Sequence, residues 1–179
     1  MVSNTIALLA VLAKNGWNSK DAPVYVQSFE VANLKALRKQ SSVRLVQLLS
    51  SSGRPYDFAA AGNTQTYADM ATAAGLKEIA TYADVVGAHK DLVIPVKDGA
   101  LGTPTALVKD AHALNLAVHI WTLRPENAFL PAAYKKAPTT DNTVRGDSVG
   151  EIQGFLKAGV DGFFTDDSSV GRLAVDSLK

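Results

Sequence analysis

Cysteine is missing altogether from this chain of 179 residues. Its absence removes a disulfide framework, a thiolate metal site and a cysteine nucleophile, and it leaves the redox compartment open. Histidine is scarce too: His89, His112 and His119 are the only three, they lack the close spacing of metal ligands, and His112 falls in a helical pattern. A histidine-built metal site is therefore not expected. Neither sign of charge is in surplus, with 18 basic and 17 acidic side chains and a formal charge of +1. With no basic run to gather phosphates, nucleic acid is not expected as a partner. No apolar run approaches the ~20 residues needed to cross a bilayer, so no membrane span is expected either. What is present, 47% apolar and 20% charged residues, suits a folded domain with a substantial core rather than a disordered chain.

The opening MVSNTIALLAVLAKNG holds a short apolar stretch at residues 6 to 13 but lacks the charged segment that precedes such a stretch in an export signal. A helix fits better. Asn4 can cap it, Ile6, Leu9 and Ala13 share a face, and Gly16 can close it.

Beyond that helix, short β-rich runs alternate with helical patterns to the C-terminus, which predicts βα units and a parallel sheet. The expected strands are Val24 to Phe29, Val43 to Leu49, Ala83 to Gly87, Ala117 to Thr122 and Gly162 to Thr165. Val31, Leu34 and Leu37 form a helical stripe, and Thr103-Pro104 ahead of Leu107, Ala111 and Leu114 predicts a helix with proline at its first position. Ser148-Val149-Gly150-Glu151 has the form of a capping box, with Ile152, Phe155 and Leu156 as the buried face and Gly159 as the stop. Two long polar connections, residues 50 to 65 and 124 to 147, are of the size that forms lids or binding loops. Gly99 to Gly102 lacks the context of a dinucleotide or phosphate loop and is expected to be a turn.

In a parallel α/β protein the loops at the C-terminal ends of the strands gather ligands. Alternation along the first strand puts Tyr25, Gln27 and Phe29 on one face, and along the fourth it puts Ala117, His119 and Trp121 opposite Val118 and Ile120. Trp121 is a pocket wall or a core aromatic. His119 is a hydrogen-bonded interior residue before it is a catalyst, and Arg124 binds a phosphate or carboxylate or lies on a loop surface. Adjacent Asp166 and Asp167 point in different directions, so one of them is expected to cap the last helix rather than the two acting as an acid/base pair.

Six segments, in order, resemble the C-terminal part of the glycerophosphodiester phosphodiesterases, in particular their larger periplasmic type. They are VYVQSFE from Val24, VRLVQLL from Val43, GRPYDF from Gly53, YADVVG from Tyr82, AVHIWTLR from Ala117 and AGVDGFFTDD from Ala158. The resemblance implies an α/β fold made of the later βα units of a (β/α)8 TIM barrel, as a single incomplete domain over residues 1 to 179. It also implies hydrolysis of a small-molecule glycerophosphodiester to an alcohol and glycerol 3-phosphate, assisted by a divalent cation, calcium or magnesium, and two histidines. The cation takes up charge on the phosphoryl oxygens while one histidine protonates the leaving oxygen and the other assists attack.

The family's His-Arg pair, its early acidic metal ligands, its second histidine and its acidic-lysine strand have no counterpart in this sequence. No metal ligand and no catalytic residue is therefore assigned, no cation is expected to bind this chain alone, and phosphodiesterase activity is not expected of it. Correspondence with the family's motifs assigns Gln27, Phe29, Trp121 and Arg124 to the substrate side. The family's last motif commonly ends Thr-Asp-x-Pro; here Thr165-Asp166 is followed by Asp167 and Ser168, so an Asp or Ser cap must set the last helix. The competing readings are a non-catalytic half-barrel that binds a phosphodiester or a partner protein, and an unrelated α/β binding domain. Open barrel edges would favour self-association. A periplasmic or extracellular location follows from the resemblance alone.

Overall fold

A computed structural model describes residues 2–138 and 141–178. Five strands share one sheet in the order β1 (Tyr25–Ser28), β2 (Arg44–Leu49), β3 (Val85–His89), β6 (Ala117–Leu123) and β7 (Gly162–Thr165), and the chain divides into two compact units. The first comprises Met1–Gly87 with Asp110–Ala117, the second Ala88–Lys109 with Val118–Lys179.

In the first unit α1 (Val2–Lys14) starts ahead of Asn4, which is therefore not its cap. The side chains of Asn4 and Ile6 lie outside the described residues. Leu9 and Leu12 are buried while Ala13 is exposed, and Gly16, at φ +73°, ends the helix as expected. Strand β1 (Tyr25–Ser28) pairs in parallel with β2 (Arg44–Leu49), Tyr25 opposite Arg44 and Gln27 opposite Val46. Between them α2 (Val31–Arg38) buries Val31, Leu34 and Leu37, the stripe read from the sequence. The connection after β2 is not structureless. It contains α3 (Tyr56–Ala60), and Asp57 takes the free N–H of Ala32 in the first turn of α2 at 2.7 Å. Next come α4 (Tyr67–Met70), closed by a Thr66–Asp69 capping box, and α5 (Ala73–Ile79), capped by Thr72.

Strand β3 (Val85–His89) begins and ends two residues later than expected. Its approach is fixed by Asp84, whose carboxylate accepts from the N–H of Leu45 at 2.9 Å and pairs with Arg38. Gly87 is required by packing, because a Cβ there would stand 2.6 Å from the Leu48 side chain and 2.8 Å from that of Val46.

In the second unit α6 (Lys90–Val93) follows directly on β3 and leads to a hairpin of β4 (Val96–Lys97) and β5 (Ala100–Leu101). Its two-residue turn is Asp98-Gly99, both at positive φ (51° and 77°), the backbone that Asp-Gly adopts at low cost. Helix α7 (Leu107–His112) starts later than the Thr103-Pro104 reading, because the Thr105 hydroxyl accepts from the N–H of Leu107 at 3.4 Å; it stops before Leu114.

Strand β6 (Ala117–Leu123) pairs in parallel with β7 (Gly162–Thr165), with a register shift between Ile120 and Leu123. The connection after β6 holds two 3-10 turns, Asn127–Phe129 and Ala132–Tyr134, and a Glu126–Arg145 bridge. The Ser148 capping box is corrected. Helix α8 (Ser148–Lys157) is capped by Asp147, which accepts from the N–H of Gly150 at 2.8 Å, and Glu151 turns inward. Gly159, at φ +93°, closes α8 as expected. The last helix, α9 (Ser168–Asp176), is capped by Asp167, which accepts from the N–H of Val170 at 3.0 Å.

Candidate functional site at the C-terminal strand ends

In the first unit the alternation of β1 is as expected: Tyr25, Gln27 and Phe29 are exposed while Val24, Val26 and Ser28 are more covered. Phe29 meets Tyr67 edge-on, with ring centres 6.0 Å apart. Its backbone is held by a residue the sequence did not single out. Gln47, fully buried in β2, donates through Nε2 to the carbonyls of Phe29 (3.0 Å) and Leu48 (3.1 Å), while its Oε1 accepts from the Tyr82 hydroxyl at 2.9 Å. Burial holds that phenol well above the ordinary tyrosine range, so Tyr82 remains a donor and the buried amide is satisfied at both ends. The C-terminal end of β1 is thus fixed from behind.

In the second unit Val118 and Ile120 are fully buried, whereas His119 and Trp121 on the other face of β6 are half-buried, again as expected. His119 stands edge-on to Phe164 at 6.4 Å and above Gly162, where a Cβ would lie 2.8 Å from the imidazole. Trp121 sits in the stretch of β6 where the register against β7 shifts, between Ile120 and Leu123. Its ring stands perpendicular to that of His89, with centres 5.0 Å apart at 89°. Beyond the strand, Arg124 lies over the ring of Phe129 at 4.7 Å, and its Nε comes 2.5 Å from Asp166 without hydrogen-bond alignment. Asp167 meanwhile caps α9 and pairs with Arg145, and hydrogen bonds from Ser169, Arg145 and the Val170 N–H hold its carboxyl far below the usual carboxylate range.

His89 is the residue that reading β3 as ending at Gly87 left out. Its Nδ1 accepts from the N–H of Asp91 at 3.3 Å, the Asp91 carboxylate is 3.6 Å away, and burial, set against the pull of Asp91, lowers its pKa. Lys90 and Glu151 were missed as well. Lys90 Nζ donates to Glu151 Oε1 at 2.6 Å and to the Phe129 carbonyl at 2.9 Å, and Glu151 is completely buried. The signal for Glu151 was its spacing: with Ser148, Ile152 and Phe155 it falls on the buried face of α8.

The opposite ends of the strands carry structural acids. Asp161, ahead of β7, accepts from the N–H of Val118 at 2.8 Å, as Asp84 does from Leu45 in the first unit. Among the described residues no three acidic or histidine side chains gather into a set that fits a divalent cation.

Successive parallel βα units with polar and aromatic groups at the C-terminal strand ends define the class as part of a (β/α)8 barrel. The model of the glycerophosphoryl diester phosphodiesterase family matches residues 1–170, and the chain belongs to that family. It is 32% identical over 145 residues to glycerophosphodiester phosphodiesterase GDPD6 of Arabidopsis thaliana, a match that covers 80% of this chain and 35% of that protein. A solved Silicibacter pomeroyi structure assigned to the glycerophosphoryl diester phosphodiesterases superposes with a TM-score of 0.60 at 20% identity, over 96% of this chain and 43% of the other. A glycerophosphodiester phosphodiesterase from Parabacteroides distasonis does so with a TM-score of 0.53 at 12% identity, over 98% and 51%. The chain thus spans about a third to a half of these relatives.

Proposed function

We propose that this chain is the substrate-side portion of a metal-dependent glycerophosphodiester phosphodiesterase, and that alone it binds glycerophosphodiesters without hydrolysing them. The family match over residues 1–170 carries the reading. The substrate-side residues are Gln27 and Phe29 in the first unit and Trp121 and Arg124 in the second. Trp121 supplies an apolar wall, and Arg124 takes a phosphoryl oxygen in exchange for Asp166, since a guanidinium matches phosphate as well as carboxylate. The cation and the acid/base groups would have to come from parts of the full-length relatives that this chain does not match.

The test is an assay of the purified monomer with glycerophosphocholine and calcium. Release of choline should not exceed the blank, while glycerol 3-phosphate should change the fluorescence of the wild type more than that of Trp121→Phe, which controls for Trp17. Chelator-sensitive turnover by the monomer would refute the proposed division of labour. A ligand response equal in the two proteins would remove Trp121 from the binding face.

A further inference from the structure

His89 occupies the last position of β3, and three features separate its two nitrogens. Side chains alternate along a strand, so His89 shares the face of Gly87, the face that cannot hold a Cβ against Val46 and Leu48. Its ring stands perpendicular to that of Trp121, with centres 5.0 Å apart. Nδ1 is used: it accepts the N–H of Asp91 and so begins α6. An acceptor at Nδ1 requires the proton of a neutral imidazole to sit on Nε2. Among the described residues Nε2 has no hydrogen-bond partner. The ring therefore carries a fixed donor on Nε2, held by the protein through Nδ1, in a ring that stands against the tryptophan.

We propose that His89 is a ligand-contacting residue, and that its Nε2–H donates a hydrogen bond to an oxygen of a glycerol phosphate ester lying against Trp121. This rests on the reading of that strand end as a substrate face. Burial lowers the pKa of His89 and keeps the neutral donor tautomer in place at neutral pH. The charged neighbours that act on it are the Asp91 carboxylate at 3.6 Å and Lys90, whose ammonium is drawn off to Glu151 and the Phe129 carbonyl.

The competing role for His89 is capping alone, and two substitutions separate the roles. Asparagine places its oxygen where Nδ1 was and keeps the cap; glutamine reaches with an amide N–H toward the position of Nε2 and loses the cap. Titration calorimetry of the intact chain with sn-glycerol 3-phosphate at pH 7.5 should show binding about tenfold weaker for His89→Asn, with an unchanged melting midpoint, the worth of one hydrogen bond to a charged group. His89→Gln should bind within about threefold of wild type even where its melting midpoint falls. If His89→Asn binds as wild type does while Trp121→Phe does not, the proposal fails and the substrate face stands. If the wild type gives no heat of binding, both fail together. Nitrogen-15 spectra of the imidazole with the proton on Nδ1 would overturn the assignment without any ligand.

Discussion

Two of the ion pairs in the second unit are built on opposite plans, and both reach Phe129. Lys90 and Glu151 meet inside the protein, with their side chains 11% and 0% exposed, and the ammonium also ties down the carbonyl of Phe129. Arg124 and Asp166 meet at the surface, 39% and 57% exposed, with the guanidinium resting on the ring of the same Phe129. A buried pair that loses one member leaves a charge in a medium that cannot solvate it, whereas an exposed pair can exchange its partner with water or a ligand at little cost. The buried pair therefore fixes the loop after β6, and Arg124, paired at the surface with Asp166 beyond β7, is the part of that loop that remains chemically available.

The strongest way to break this contrast is Lys90→Met, which leaves Glu151 without its counter-charge and frees the Phe129 carbonyl. A loss of about 3–5 kcal/mol at pH 7.5 is expected in urea denaturation. Glu151→Gln should cost less, because the remaining Lys90 ammonium keeps some exposure and two oxygen acceptors, the new amide and the Phe129 carbonyl. Burial raises the pKa of Glu151 in the folded protein despite the opposing pull of Lys90. A carboxyl with a raised folded pKa binds its proton more tightly when folded, so its contribution is present below the unfolded pKa of about 4.5 and is lost as pH rises through the folded value. The gap between Lys90→Met and wild type should accordingly narrow as pH falls toward that value. A loss below about 1 kcal/mol at pH 7.5 would mean the pair does not hold the loop.

A smaller effect is expected at the other ends of the strands, where carboxylates serve the backbone. Asp161→Ala would strand the N–H of fully buried Val118, at a cost of about 1–3 kcal/mol in the same denaturation measurement. Asp161→Asn keeps an oxygen acceptor and should recover most of that loss without altering glycerol 3-phosphate binding. If ligand binding fell with Asp161→Asn, the division between a structural and a ligand-facing end of β6 and β7 would not hold.

The scaffold was largely legible in the sequence because its signals are periodic. The alternation of β1 and β6, the Val31-Leu34-Leu37 stripe and the stop at Gly159 each follow from one local rule. The Asp-Gly hairpin was available to the same reasoning but joins strands of two residues, too short for an alternation to register. The site was less legible because two of its residues sit where rules compete. Glu151 stands three residues after a serine, which reads as a capping box, and four before Phe155, which reads as a buried face; packing against Lys90 decides between them. His89 lies just past the apolar part of β3, and only the run of the strand through it, set by Asp84 at the start, gives it a side of the sheet. No local pattern records a partner distant in sequence, and Gln47 with Tyr82 is the same case in the first unit.

The exposed pair gives the smallest stability change and the most direct reading of function. Asp166→Asn removes a charge that is more than half exposed, so stability should move by less than about 1 kcal/mol. Its effect on anions should be larger in relative terms. On the proposed reading, a phosphoryl group approaching Arg124 in the wild type would meet a carboxylate of the same sign beside the same guanidinium, and would have to displace or share that contact. Asparagine removes the repulsion and leaves Arg124 seated on Phe129, so glycerol 3-phosphate should bind a few times more tightly, by an increment that shrinks as salt is raised from 0.05 to about 0.5 M. Arg124→Gln should weaken binding and abolish that salt-dependent increment in the double variant. If Asp166→Asn instead weakens binding, the carboxylate is needed to orient the guanidinium, and Arg124 acts as a fixed donor rather than an exchangeable one.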